Sequence, residues 1–202
     1  MCVDKYYTIA KSEETEIKIK ASKFISTAFP VIDKSDAVQK LNEIKSKYFD
    51  ATHNCFAYQI WKDNISKASD DGEPSGTAGR PILSVIKQYE INDIIVIITR
   101  YFGGTKLGTG GLIRAYSEAT ETLLQVCEKK IINITKAVKI NCRYEEISLV
   151  KRIINEFAVS FKEEYTDAIE IIANIPLSKT DFFINTIISS TNVKASAKII
   201  EN

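Results

Sequence analysis

Residues 94–111 read IIVIITRYFGGTKLGTGG. The run Ile94–Ile98 is apolar without alternation, as in a strand covered on both faces. Its last polar residue is Arg100, and a glycine-rich connection follows. From about Leu112 to Glu128 the spacing becomes helical. Leu112, Ala115, Ala119, Leu123 and Val126 form an apolar stripe, while Arg114, Glu118, Glu121 and Gln125 form a wet one. A strand that feeds a helix through glycines exposes backbone N–H groups at the helix start. These carry about half a positive charge and accept the close approach of an anion. All eight glycines fall between Gly72 and Gly111, and no acidic residue lies between Asp93 and Glu118. The candidate phosphate or nucleic-acid site is therefore Arg100, Tyr101, Gly103, Gly104, Thr105, Lys106, Gly108, Thr109, Gly110, Gly111 and Arg114. Arg80 joins it if its own glycine loop folds back to the same end. A positive φ is expected at Gly104 or Gly108. The common nucleotide fingerprints fail. Gly103-x-x-x-x-Gly108 is followed by Thr109 where a P-loop has Lys, and Gly108-x-Gly110 is followed by Ile113 where a dinucleotide loop has its third Gly.

Upstream lies DDGEPSGTAGRP, residues 70–81. Asp70, Asp71 and Glu73 cluster in the manner of hard-cation ligands, but Asp, Gly and Pro also make hydrophilic turns for backbone reasons. The turn is the expectation, with Asp70, Asp71, Glu73 and His53 kept as candidate ligand or ion contacts and no metal site expected. His53 and Cys55, two apart on a strand, share a face. A packed pair is expected rather than a nucleophile and its base.

The rest of the chain reads as alternating strands and helices. Glu16–Pro30 gives one or two strands, and HNCFAYQIW at 53–61 gives a buried one. Between them a helix capped by Ser35 presents Val38, Leu41, Ile44 and Tyr48. From Ala137 the order is strand, helix (Ile147, Val150, Ile153, Ile154, Phe157), strand, strand, helix, strand. The second helix starts near Ser178, with Asp181 three residues on, close to a capping box. That order is β-α-β-β-α-β, a ferredoxin-like module. The expected domains are 1–135 and 136–202 in an α+β chain.

Of the 202 residues, 45% are apolar and 26% charged, which fits folded domains rather than disorder. A net charge of +1 gives no global field for nucleic acid, so any such reading rests on the local 94–117 stretch. The start, MCVDKYYTIAKSEE, is too broken by charge for a signal peptide, and the Ile94–Ile98 run is too short to span a bilayer. No membrane association is expected and the location is expected to be cytoplasmic. Cys2, Cys55, Cys127 and Cys142 form no CxxC, and reduced thiols are expected.

The segment from Gly79 to Gly108 resembles the signature of the Impact/YigZ family. It has the glycine, aliphatics at Ile82, Leu83, Ile86 and Ile91, and then Ile97-Ile98-x-Arg100-Tyr101-Phe102-Gly103-Gly104-x-x-Leu107-Gly108. DDGEPSGTAGRP and HNCFAY resemble the family as well. The resemblance implies an N-terminal domain folded like domain IV of elongation factor G, a small-subunit ribosomal protein and the GHMP kinases. It implies a C-terminal domain like domain V of that factor. Eukaryotic relatives regulate translation through an additional N-terminal domain, so their mechanism is not expected to carry over. The expected function is binding of RNA, the ribosome or other translation machinery, with a role in translation regulation, no catalysis and no cofactor. The alternatives are a phosphate-handling small-molecule enzyme, by analogy with the kinases, and a protein-interaction scaffold.

Overall fold

A computed structural model describes residues 4–62, 64–165 and 169–200. The chain forms two compact units, Tyr7–Ile131 and a second comprising Ile132–Asn202 with Met1–Tyr6. Strands β1 (Lys5–Ile9) and β7 (Lys129–Asn133) make a two-stranded ladder, and both crossings between units fall within it.

The first unit is built on a five-stranded sheet. Its strands are β2 (Glu13–Ile19), β3 (Ser22–Pro30), β4 (His53–Ile60), β5 (Ile65–Ser69) and β6 (Ile94–Tyr101), in the order β2-β3-β6-β4-β5. All neighbours are antiparallel. Both faces of the central strands are covered, which explains their unbroken apolar sequence. Ile94, Val96 and Ile98 of β6, with Cys55 and Ala57 of β4, face helices α2 (Gly79–Gln88) and α3 (Thr109–Val126). The alternate residues Ile95, Ile97, Phe56, Tyr58 and Ile60 face α1 (Lys34–Lys47). Each fully buried aliphatic of this kind contributes about 1.5–3 kcal/mol.

Helix α1 is capped by Asp33, whose side chain accepts from the Asp36 N–H, and not by Ser35. Its buried face is Ala37, Leu41 and Ile44, with Tyr48 packed beside them, while Val38 is exposed. In α3, Leu112, Ala115, Ala119 and Leu123 are buried as expected, joined by Tyr116 and Leu124, while Val126 is exposed at the frayed end. Sequence reading gave no helix at 79–88. Its cap is remote: Asp70 accepts from the Ala78 and Gly79 N–H groups, eight and nine residues downstream. Pro81 sits in the first turn, where its missing N–H costs nothing.

The second unit has β8 (Thr135–Cys142), α4 (Ile147–Phe157), β9 (Ser160–Tyr165), β10 (Ile169–Pro176), α5 (Thr180–Ser190) and β11 (Ser196–Ile200). The sheet order β11-β8-β10-β9, antiparallel throughout, is the ferredoxin-like arrangement. Its core includes Val138, Ile140, Val150, Ile154, Ile171, Phe183 and Ile187. Ser178 does not form the expected capping box. Its N–H and hydroxyl both donate to the Asp4 carboxylate, 174 positions away, and those bonds hold the Asp4 pKa below its ordinary value. Cys55, Cys127 and Cys142 are buried and unbridged, and Cys2 lies outside the described residues. Among the described residues no helix is long and apolar enough to cross a membrane.

The glycines at 103–110 differ in what they demand. A Cβ on Gly103 would lie 1.7 Å from the Ala21 carbonyl oxygen, Gly104 has φ 85° in open space, and Gly110 has open space in an ordinary helical turn. Chemical denaturation should therefore rank three variants. Gly103→Ala should lose at least about 1–3 kcal/mol from overpacking. Gly104→Ala should lose roughly 1–2 kcal/mol from the left-handed backbone. Gly110→Ala should be neutral or gain up to about 1 kcal/mol.

Candidate functional site

The end of β6, the 70–79 loop and the start of α3 converge on a depression of about 470 Å³. Its deep wall is polar. The Arg100 side chain is 5% exposed and donates from Nη1 to Glu73 Oε1 at 2.5 Å. Nη2 donates to the Ser22 hydroxyl at 3.2 Å. The guanidinium also lies over the Phe24 and Phe102 rings, at 5.5 and 5.6 Å. Arg100 is thus not the surface cation that the sequence reading expected. The register of β6 turns it inward between β3 and β4, opposite Phe24 and His53, and Glu73 neutralises it.

Glu73 has a side chain 3% exposed. Its Oε1 also accepts from the buried Tyr116 hydroxyl at 2.8 Å. Oε2 lies 3.9 Å from His53 Nε2. His53 Nδ1 is 2.8 Å from the Asp71 carbonyl oxygen. A carbonyl only accepts, so Nδ1 carries the proton, and in the neutral ring Nε2 is an acceptor.

The remaining acids are occupied by structure. Burial alone would raise the Asp70 carboxyl, but the N–H donors of Gly76, Gly79 and Ala78, aided by Arg80, outweigh it and hold the pKa below the ordinary 3.8. Asp71 behaves alike: its burial is outweighed by bonds from Lys45 and the Asn54 N–H. Both carboxylates are engaged by the protein's own donors, and among the described residues no group of three or more His, Cys, Asp or Glu is placed to hold a metal ion. Cys55 donates to the Asp70 carbonyl, and burial pushes its thiol up to about 12, so it stays protonated and gives His53 no thiolate partner.

The mouth of the depression is basic and open. Lys106, Gly108 and Thr109 line it, all exposed. Gly108 is the N-cap of α3 with φ 71°, and no side chain caps this helix, so its first N–H groups are left for an outside acceptor. The positive φ expected at Gly104 or Gly108 occurs at both. Phe102, 45% exposed, completes one wall. Tyr101 instead donates to Asp50 at 2.7 Å. Thr105 and Gly104 are exposed on the loop outside the lining, and Gly103 packs on Ala21.

The four basic residues do not all line one depression. Gly111 and Arg114 line a separate depression with Lys20 and Glu118, and Arg114 Nε donates to the Gly110 carbonyl. Arg80 lines neither depression. Sequence reasoning missed the contributions of Thr52, Pro74 and Leu107 to the first depression.

Fold and pocket together define a two-unit α+β protein whose first unit carries a largely apolar pocket with a buried charged floor beneath an uncapped, glycine-fronted helix. The model of the Impact N-terminal domain matches residues 20–124. The chain belongs to the Impact family. It is 37% identical to the IMPACT family member YvyE of Bacillus subtilis over 198 residues, 96% of this chain and 90% of that one. It is 29% identical to YigZ of Escherichia coli over 143 residues, covering 69% and 70%. A crystal structure described as a hypothetical protein superposes over the whole of both chains with a TM-score of 0.68 at 23% identity, a likeness of fold.

Two outcomes follow from the buried pair and the bonded acids. Glu73→Ala leaves Arg100 buried without its counter-charge, and urea unfolding should show a loss of about 3–5 kcal/mol. Lys106→Ala, on the exposed loop, should stay within about 0.5 kcal/mol. Asp70 and Asp71 have folded pKa values below 3.8, so their contribution is complete above 3.8 and is lost as pH falls through the lower folded values. Asp70→Asn and Asp71→Asn should each flatten the acid limb of a stability–pH profile.

Proposed function

We propose that the protein binds single-stranded RNA, free or within the ribosome, at the mouth of this pocket, and acts on translation through that binding. One observation carries the reading: the uncapped start of α3 opens into the pocket beside Lys106 and the exposed ring of Phe102. Free backbone N–H groups and a lysine suit a phosphate, and an exposed phenyl face suits an unstacked base. The neutral Glu73–Arg100 pair beneath contributes shape and polarity but little field. The family resemblance in the sequence supplies the translation setting.

The cationic surface is smaller than four basic residues would give. One phosphate neutralised by Lys106 on single-stranded RNA corresponds to a slope of about −0.7 in log affinity against log salt. Lys106→Glu should weaken binding to a single-stranded oligoribonucleotide and to isolated ribosomal subunits, and flatten the slope by at least about 0.7. Phe102→Ala should cost about 1–3 kcal/mol of binding. If both variants are folded and bind like the parent at every salt concentration, the reading fails.

A further inference from the structure

Beneath the mouth, the pocket ends on groups that the phosphate contact does not use. Glu73 Oε2 and His53 Nε2 are 3.9 Å apart, and neither takes a hydrogen bond from any described residue. With Nδ1 of His53 committed to the Asp71 carbonyl, both atoms are acceptors in the neutral state. On the same wall, Nε of the 5%-exposed Arg100 is a buried donor with no acceptor. Of these atoms Arg100 Nε is buried without a partner, which is uncommon and calls for an explanation.

The chemistry of that group can be read from the wall. It must donate to two acceptors, so a phosphate is unsuitable: its oxygens would face the Glu73 carboxylate. The Glu73–Arg100 pair is neutral overall, so no strong field calls for a charged ligand. Hydroxyl groups, each both donor and acceptor, fit the two acceptors Glu73 Oε2 and His53 Nε2. Glu73 and Arg100 form a floor over nine-tenths buried, while Lys106, Gly108 and Thr109 at the mouth are exposed. In RNA a pair of neighbouring free hydroxyls occurs only on the terminal 3′ ribose, since internal riboses keep the 2′-hydroxyl alone. The volume of about 470 Å³ lies within the range of roughly 300–1,000 Å³ typical of small-ligand sites.

Resting on the RNA reading above, we infer that the pocket recognises the free 3′ end of RNA. The terminal ribose inserts its 2′,3′-diol toward Glu73 Oε2 and His53 Nε2. The phosphate on its 5′ side rests on the start of α3 and Lys106, and the terminal base lies along Phe102. The site thereby distinguishes a hydroxyl end from a phosphorylated one.

The test uses the full chain and a 5′-labelled oligouridylate with four 3′ ends: the free diol, a 3′-phosphate, a 2′,3′-cyclic phosphate and a 3′-deoxy ribose. Fluorescence anisotropy should show the diol binding at least about ten-fold tighter than the other three, as expected for hydrogen bonds to a charged acceptor. His53→Ala should bring the affinities of the four ends together. If the four ends bind the unmodified protein equally, with the salt dependence and the Lys106 effect intact, end recognition is overturned and the RNA reading stands. If none binds, both fall. Because the series on the unmodified protein decides the matter, a failure of His53→Ala to fold leaves the test intact.

Discussion

The Glu73 carboxylate holds the first unit's functional end together. Oε1 receives the Arg100 guanidinium and the Tyr116 hydroxyl, so one oxygen ties the 70–79 loop to β6 and to α3. Arg100 in turn reaches Ser22 at the start of β3. Burying an isolated charge is prohibitively costly, and even a pair offsets its desolvation only when the geometry is good and further hydrogen bonds are made. The loop, the strand end and the helix start are therefore fixed relative to each other by a contact that tolerates little displacement. The pocket mouth is exposed chain, but it stands on a rigid base.

That base also explains the glycines around it. Gly79 brings the start of α2 against the backbone of Ser69, where a Cβ would lie 2.5 Å from a nitrogen. Gly103 packs on Ala21, and Gly108 turns the chain through a positive φ into α3. Glycine serves close packing at the first two positions and backbone shape at the third. Only the third shapes the open start of α3.

Much of the architecture was legible because it is written in local periodicity. The unbroken apolar runs of β4 and β6, the stripe of α3 and the strand–helix order after Ala137 need only neighbours in sequence. What escaped was set by partners far along the chain. Helix α2 is capped from Asp70, Ser178 is bonded by Asp4, and the register of β6 turns Arg100 inward to meet Glu73. An arginine at the end of an apolar strand looks the same whether it faces water or a buried carboxylate. The candidate site was thus legible as a region, 100–114 with His53 and Glu73, but its division into floor, mouth and separate neighbouring depression depended on tertiary contacts.

The sheet order of the first unit has a further consequence for which strands present unpaired backbone. The central strands β3, β6 and β4 are paired on both sides, which leaves β2 and β5 as the open edges. Strand β2 reads EETEIKI, with Glu14, Glu16 and Lys18 exposed and Ile17 and Ile19 turned toward the core. Strand β5 is only five residues long and carries an exposed lysine at its centre. Charged or short edges resist the addition of another strand. The most aggregation-prone segment of the chain, Ile94–Ile98, therefore sits at the position in the sheet farthest from any surface at which a second molecule could pair with it.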